Sequence, residues 1–288
     1  MHDGPPNSRM THITVGVLAL QGAFIEHIKL LRLAADELKS RGSQQRASDG
    51  VVGQETRCGG ESFEFLEVRT PAELERCDAL VIPGGESTSM SLIAERTGLL
   101  EPLREFVKVQ RRPTWGTCAG LILLAESANK SKLTGQELIG GLDVRVHRNY
   151  FGRQVESFEA DLEMPFLQDG EPFHTVFIRA PVVEKVLPPS TTSIGDRPVS
   201  ADDTVLAPAK QATKARVEIL GRLPGRAKAI QDQTTTAADL GEDGDIVAVK
   251  QGNVFGTAFH PELTVDGRIH GWWLEEVLKS VAERQMTG

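Results

Sequence analysis

The stretch Pro113-Thr-Trp-Gly116-Thr-Cys118-Ala-Gly120-Leu-Ile-Leu-Leu-Ala125 reads G-x-C-x-G between an apolar segment and a helical one. This is the nucleophile-elbow spacing with cysteine in the position that serine holds in many hydrolases. The spacing has a steric reason. A sharp strand-to-helix turn pushes one side chain out on a strained backbone, and small residues on either side let the neighbouring elements approach. The thiol is then set at a helix N-terminus, where the dipole favours the thiolate, its reactive form. A buried cysteine in a Gly-rich turn is the competing reading of the same residues.

A cysteine nucleophile needs a base, and the base needs a group that orients it. Of the seven histidines, His260 stands out. The apolar stretch Asn253–Phe259 runs into it as a strand, and Pro261 ends the strand there. Glu262 follows two residues later, and in extended geometry alternate residues share a face. Its carboxylate is thus placed to reach the imidazole and fix its tautomer. Taken alone, His-Pro-Glu reads equally as a solvated surface turn. Paired with a cysteine elbow at the end of another apolar strand, it reads as a triad of Cys118, His260 and Glu262.

A third segment is Ala79-Leu-Val-Ile-Pro83-Gly84-Gly85-Glu86-Ser87-Thr88-Ser89-Met90. A short apolar run ends in Pro-Gly-Gly, followed by Ser/Thr before a helix over 90–96. The two glycines permit backbone conformations barred to other residues, and backbone N–H groups there suit an oxyanion or a substrate carboxylate. An ordinary strand–turn–helix junction with Ser or Thr as N-cap is the plainer reading. The segment lacks the spacing of a P-loop.

Composition bounds the rest. A length of 288 residues gives enough chain for a real core. Charged residues at 25% and apolar ones at 40% are ordinary globular usage. A net charge of −8 argues against nucleic acid or an anionic membrane as a main partner. No apolar run approaches the roughly 20 residues of a membrane span, and residues 1–10 lack the apolar core of a signal peptide. Cys58, Cys77 and Cys118 make an odd count without metal-like spacing, which suits a reducing cytosol. Cys77 reads as packing, and Cys58, in a Gly-rich stretch, as exposed.

The pattern predicts strands over 13–20, 63–69, 79–82 and 114–115, alternating with helices over 23–40, 72–76, 90–96, 99–109 and 121–126. Beyond Leu142 the texture changes to strands at 143–147, 154–160, 175–180, 216–220, 246–251 and 253–259, closed by an amphipathic helix over 268–284. This implies an α/β fold: a mostly parallel central sheet with helices on both faces and an antiparallel extension. Residues 1–12 read as a disordered lead and 13–286 as one domain. Polar, turn-rich stretches near 42–62 and 188–246 read as insertions made of surface loops. Arg222, Arg226 and Lys228 read as a solvated basic loop or, alternatively, an anion patch.

Together these pieces resemble the class I, triad-type glutamine amidotransferases. Val15-Gly-Val-Leu-Ala-Leu20-Gln21-Gly22-Ala-Phe-Ile-Glu-His27, Pro83–Thr88, Gly116–Gly120, Arg148-Asn-Tyr-Phe-Gly-Arg-Gln154, Ser157-Phe-Glu159, Phe177-Ile-Arg-Ala-Pro181 and Phe259-His-Pro-Glu-Leu-Thr264 occur in one order. They narrow the resemblance to the glutaminase subunits of pyridoxal 5′-phosphate synthases. The resemblance implies a flavodoxin-like fold and hydrolysis of L-glutamine by Cys118, His260 and Glu262. It implies an oxyanion hole from backbone N–H groups at Gly85 and Ala119. It also implies substrate contacts at Gly85, Glu86, Ser87, Arg148, Ile178 and Arg179. No metal or organic cofactor is needed for this chemistry. The implied setting is cytoplasmic, and the implied partner is a (β/α)₈-barrel synthase subunit that takes the ammonia. A glutaminase subunit of another amidotransferase, a cysteine hydrolase on a related flavodoxin-like fold, and a regulatory subunit without turnover are the alternatives.

Overall fold

A computed structural model describes residues 11–48, 61–129, 136–148, 157–167, 169–188, 204–208, 215–224 and 244–287. Its first half alternates strand and helix. β1 (Thr11–Leu18) leads to α1 (Phe24–Ser48), β2 (Glu61–Val68), the short α2 (Pro71–Glu75) and β3 (Ala79–Ile82). Then come α3 (Ser87–Arg96), α4 (Leu100–Arg104) with a π-helical turn over Glu105–Val109, β4 (Thr114–Thr117) and α5 (Ala119–Leu124). Next are β5 (Ala125–Asn129), β6 (Leu142–His147), β7 (Ser157–Leu162), β8 (Phe173–Ile178), β9 (Val182–Val186), β10 (Thr204–Leu206), β11 (Glu218–Leu223), β12 (Asp245–Gln251) and β13 (Val254–Thr257). A 3₁₀ turn over Pro261–Leu263 and α6 (Arg268–Thr287) close the chain.

Eleven of these strands form one sheet, in the order β10-β5-β6-β9-β12-β13-β4-β3-β1-β2, with β11 paired to β12. The run β2-β1-β3-β4-β13 is parallel throughout. From β13 outward the pairings to β12, β9 and β6 turn antiparallel. β7 and β8 form a separate antiparallel hairpin.

The two faces can be read from β4. Trp115 and Thr117 point one way, toward His270 of α6 and His27 of α1. Gly116, between them, points the other way, and a Cβ built there would sit 2.5 Å from the backbone of Gly120 in α5. Helices therefore cover both faces, and the strands between them are buried on both sides: β3 and β4 are buried at every position. This is what a parallel sheet demands of its sequence. No helix among the described residues is long and apolar enough to cross a membrane.

Several sequence expectations shift. α1 runs through Ser48, past Gly42 where the pattern suggested an end, so part of the first expected insertion is helical backbone. α5 stops at Leu124 because Ala125 turns extended and starts β5 at once. β5 and β9 had no periodic signal strong enough to mark them; β5, Ala-Glu-Ser-Ala-Asn, holds few β-formers and is set by pairing with β6 and β10. β10 and β11 lie inside the second expected insertion yet join the main sheet. Thr11 and His12, expected in the disordered lead, belong to β1. Cys58, Arg226, Lys228 and residues 231–243 lie outside the described residues. Cys77 is buried, as packing requires, and burial pushes its thiol up to about 12.

The elbow glycines carry a measurable consequence. A Cβ on Gly120 would lie 2.0 Å from the Ile82 carbonyl oxygen, a backbone atom that cannot swing away. Gly120→Ala is expected to lower unfolding free energy by about 1–3 kcal/mol or more, read from denaturant midpoints. Gly267→Ala, whose nearest neighbour is 4.0 Å away, stays close to wild type. Equal stability of the two variants would contradict the packing.

Candidate active site

The site is built by strand register. β4 and β13 pair in parallel with Thr117 opposite Thr257, and the Cys118 N–H donates to the Thr257 carbonyl at 2.8 Å. Parallel neighbours end at the same sheet edge, so the residue after β4 and the residues after β13 arrive together. Cys118 sits there with φ 49° and ψ −102° as the N-cap of α5. A non-glycine residue with φ near +50° is strained and persists only where its surroundings enforce it. Here Gly116 and Gly120 permit the enforcing contact.

After Thr257 the chain continues through Ala258 and Phe259 to His260. The expected extended geometry does not continue. Pro261 opens a 3₁₀ turn, and that turn brings Glu262 back under the imidazole. His260 Nδ1 donates to Glu262 Oε1 at 2.8 Å. The His260 N–H donates to the Val176 carbonyl at 2.8 Å, which ties the triad to the β7–β8 hairpin. The Cys118 thiol lies 3.9 Å from the Ile178 carbonyl at the end of that hairpin. The structure thus brings Cys118, His260, Glu262 and Ile178 into one cluster.

All three triad residues are buried, Glu262 to 3% exposure, so their charges interact strongly. Burial alone would raise the Glu262 pKa, but the adjacent His27 and the hydrogen bond from His260 outweigh it and hold the carboxyl well below the usual range. Burial would likewise lower the His260 pKa. Hydrogen bonding to Cys118 and Glu262 reverses that and pushes it up to about 10. An imidazolium held between Cys118 and the Glu262 carboxylate is the arrangement this favours.

The residues expected to recognise substrate flank the elbow. Glu86 proves to be the N-cap of α3, a role the sequence suggested for Ser or Thr. Its carboxylate accepts from the N–H groups of Thr88 and Ser89 and from the Ser89 hydroxyl, at 3.1, 2.8 and 2.7 Å. Burial opposes its ionisation, but these bonds prevail and lower it to about 2. Gly85, exposed at the same turn, adopts φ 152°, which side-chain-bearing residues rarely do. The Glu86 N–H donates to Gln21 Oε1 at 3.1 Å, so the loop after β1 holds the Gly-Gly turn. Arg148 is buried; burial lowers its pKa to about 10, with Glu86 acting in the opposite sense. Ile178 and Arg179 are exposed at the hairpin end, Arg179 with φ 45°. Ala119 opens α5, so its N–H is among those a helix leaves without an internal partner.

Sequence reasoning missed two participants. Gln136 Oε1 accepts from Ser87 Oγ at 3.3 Å, from Thr88 Oγ1 at 3.2 Å and from the Arg148 guanidinium. No local pattern marks it, since it follows a connecting segment and its partners are remote in sequence. His27 stands 3.3 Å from Glu262 Oε2. Its signal was present: with Phe24, Ile28 and Leu31 it lies on the inward stripe of α1, where a histidine needs a partner.

The charge balance makes one prediction. Because its folded pKa is raised from 6.5 to about 10, the His260 imidazolium contributes stability that is full below about pH 6.5. That contribution is lost as pH rises toward 10. In Glu262→Gln the carboxylate is gone and burial still opposes the charge. The ring, followed by NMR, is then expected to titrate at clearly lower pH than in wild type. An unmoved titration would dismiss Glu262 as its partner.

In sequence and in fold the chain is similar to known glutamine amidotransferases. The sequence profile of the SNO glutamine amidotransferase family matches residues 17–215 and 214–279. The chain is 42% identical over 267 residues to the probable pyridoxal 5′-phosphate synthase subunit PDX2 of Arabidopsis thaliana, covering 91% of this chain and 85% of that one. It is 36% identical over 270 residues to the pyridoxal 5′-phosphate synthase subunit SNO1 of Saccharomyces cerevisiae, covering 92% and 93%. Among solved structures, a crystal structure described as a glutamine amidotransferase superposes with a TM-score of 0.57 at 34% identity, covering 91% of this chain and 98% of that one. The parallel core, the helices on both faces and the antiparallel extension are thus those of the flavodoxin-like class I glutamine amidotransferase fold, and this chain belongs to the SNO glutamine amidotransferase family.

Proposed function

We propose that this chain is a glutaminase that hydrolyses L-glutamine to L-glutamate and ammonia and passes the ammonia to a pyridoxal 5′-phosphate synthase subunit. The observation that carries the reading is the parallel register of β4 and β13. It sets an elbow cysteine beside a histidine whose other nitrogen donates to a buried carboxylate at 2.8 Å.

In this reading Cys118 Sγ bonds to the side-chain carbonyl carbon of glutamine. The C–N bond breaks, and ammonia leaves with a proton from His260. A water then bonds to the same carbon, His260 takes its proton, and the C–S bond breaks to release glutamate. Glu262 keeps the proton-bearing Nδ1 turned inward, so the other nitrogen faces the thiol. N–H groups at Gly85 and Ala119 receive the oxyanion, a donor there being worth about 3–4 kcal/mol in the transition state. Arg148 and Arg179 hold the α-carboxylate, for which a guanidinium fork is suited. Glu86, Ser87 and Ile178 complete the contacts. The chemistry needs no metal or organic cofactor.

The partner reading is supported by the names of the relatives, which are synthase subunits. Ammonia released into water is protonated and diluted, so a synthase that uses the neutral molecule gains from a docked source. We take the acceptor to be a (β/α)₈ barrel seated over the active-site mouth, and the setting to be the cytosol, where the free thiols Cys77 and Cys118 stay reduced.

Cys118→Ala should abolish glutamate release with the fold intact, and an electrophilic glutamine analogue should label Cys118 alone. Labelling of Cys77 with Cys118 untouched would sink the assignment. The Gln21 contact with the turn adds a second test. If synthase docking on the Gln21-Gly22 loop sets the oxyanion-binding shape, glutaminase activity rises on adding the synthase in wild type and far less in Gln21→Ala. Equal activity alone and in complex would reject that coupling and leave the hydrolysis standing.

A further inference from the structure

Behind the triad lies a second pair of histidines that the mechanism above does not use. His27 of α1 and His270 of α6 are both fully buried. His27 Nδ1 and His270 Nε2 are 3.0 Å apart. On the other side, His27 Nε2 stands 3.3 Å from Glu262 Oε2 and 3.3 Å from the Thr117 hydroxyl. A continuous line of polar side chains therefore runs from the thiol through His260, Glu262 and His27 to His270.

Proton bookkeeping along the line admits few arrangements. Glu262 Oε1 already accepts from His260, and Oε2 makes no in-line hydrogen bond to any described residue. The nitrogen facing it must carry a proton, since two acceptors would repel. His270 is buried on all sides, and burial drives it toward the neutral form. A neutral His270 with its proton on Nε2 donates to His27 Nδ1, which leaves His27 its own proton on Nε2, the nitrogen that stands 3.3 Å from both the Thr117 hydroxyl and Glu262 Oε2. Among the described residues of this line, Glu262 Oε2 and His270 Nδ1 have no in-line hydrogen bond, and the His270 Nδ1 lone pair is an acceptor, less costly to orphan than a donor. The Trp115 ring, 5.5 Å from His27 and 4.9 Å from His270 between centroids, walls the pair from solvent. The titratable groups around His27 are Glu262 from the turn after β13 and His270 from α6, with His260 beyond; β4 presents the uncharged Thr117 and Trp115.

We propose that His27 is a positioning residue of the triad: its Nε2–H holds the second oxygen of Glu262, and His270 fixes the tautomer that puts the proton there. The 3.3 Å separation is long, as hydrogen bonds in empty sites often are before substrate tightens them. With Oε2 held, the carboxylate cannot rotate away from His260, and its charge stays in place at low pH.

The test uses the full chain with its synthase partner and rests on the glutaminase reading only for turnover. Alkylation of Cys118 by iodoacetamide across pH is independent of any substrate. In His27→Leu, kcat is expected to fall about tenfold to a hundredfold, the value of one hydrogen bond to a charged group, with KM unchanged because His27 touches no substrate. The acid limb of Cys118 alkylation moves to higher pH, since Glu262 loses the polar group that stands 3.3 Å from its second oxygen. His27→Gln, whose amide nitrogen reaches the Nε2 position, recovers most of both. His27→Asn, which reaches only the Nδ1 position, does not, and it keeps a polar group should the leucine variant fail to fold. Wild-type kcat and an unmoved limb in the leucine or asparagine variant would overturn the proposal. So would equal losses in all three that track the melting temperature, which would make the pair structural. Absence of glutamine turnover in wild type, with the limb still shifting, would reject the substrate and keep the positioning role.

Discussion

The backbone at Cys118 is the constraint on which the site depends. A cysteine with φ 49° carries strain of about 1–3 kcal/mol, so the surroundings must leave it no alternative. They do so from three sides. The Cys118 N–H is fixed to β13, α5 begins at the next residue, and Gly116 and Gly120 let strand and helix touch where any side chain would hold them apart. The parallel strands β3, β4 and β13, buried at every position, hold the turn between two covered faces of the sheet.

Electrostatics builds outward from the same point. A buried carboxylate is costly unless its oxygens are matched. Glu262 has a histidine on each side, one hydrogen-bonded to Oε1 at 2.8 Å and one standing 3.3 Å from Oε2. The first presents the reactive nitrogen to the thiol, and the second extends the line into the core between α1 and α6. The active site is therefore continuous with the packing of the helical layer. The line from α1 to the nucleophile runs through three contacts, His27–Glu262, Glu262–His260 and His260–Cys118, and from α6 through a fourth, His270–His27.

The substrate side is organised differently. Glu86 is occupied as a helix cap, Ser87 and Arg148 share Gln136, and Gln21 holds the turn from a separate loop. These are connections between loop segments rather than strand register.

The sequence by itself determined the parallel core, the elbow, the end of the last strand at His260 and the closing helix. Each rests on short-range physics: apolar runs of strand length, small residues flanking a cysteine, a proline that ends a strand, a helical stripe. What only the tertiary structure decided is of two kinds. β5, β9, β10 and the full length of α1 depend on sheet partners and packing that local propensity does not encode. The links His27–Glu262, His27–His270 and Gln136–Arg148 join residues far apart in the chain, or, like Gln136, without any periodic mark. A histidine on the inward stripe of a helix announces that it needs a polar neighbour. Which neighbour it meets is settled only when the sheet register carries Glu262 beneath it.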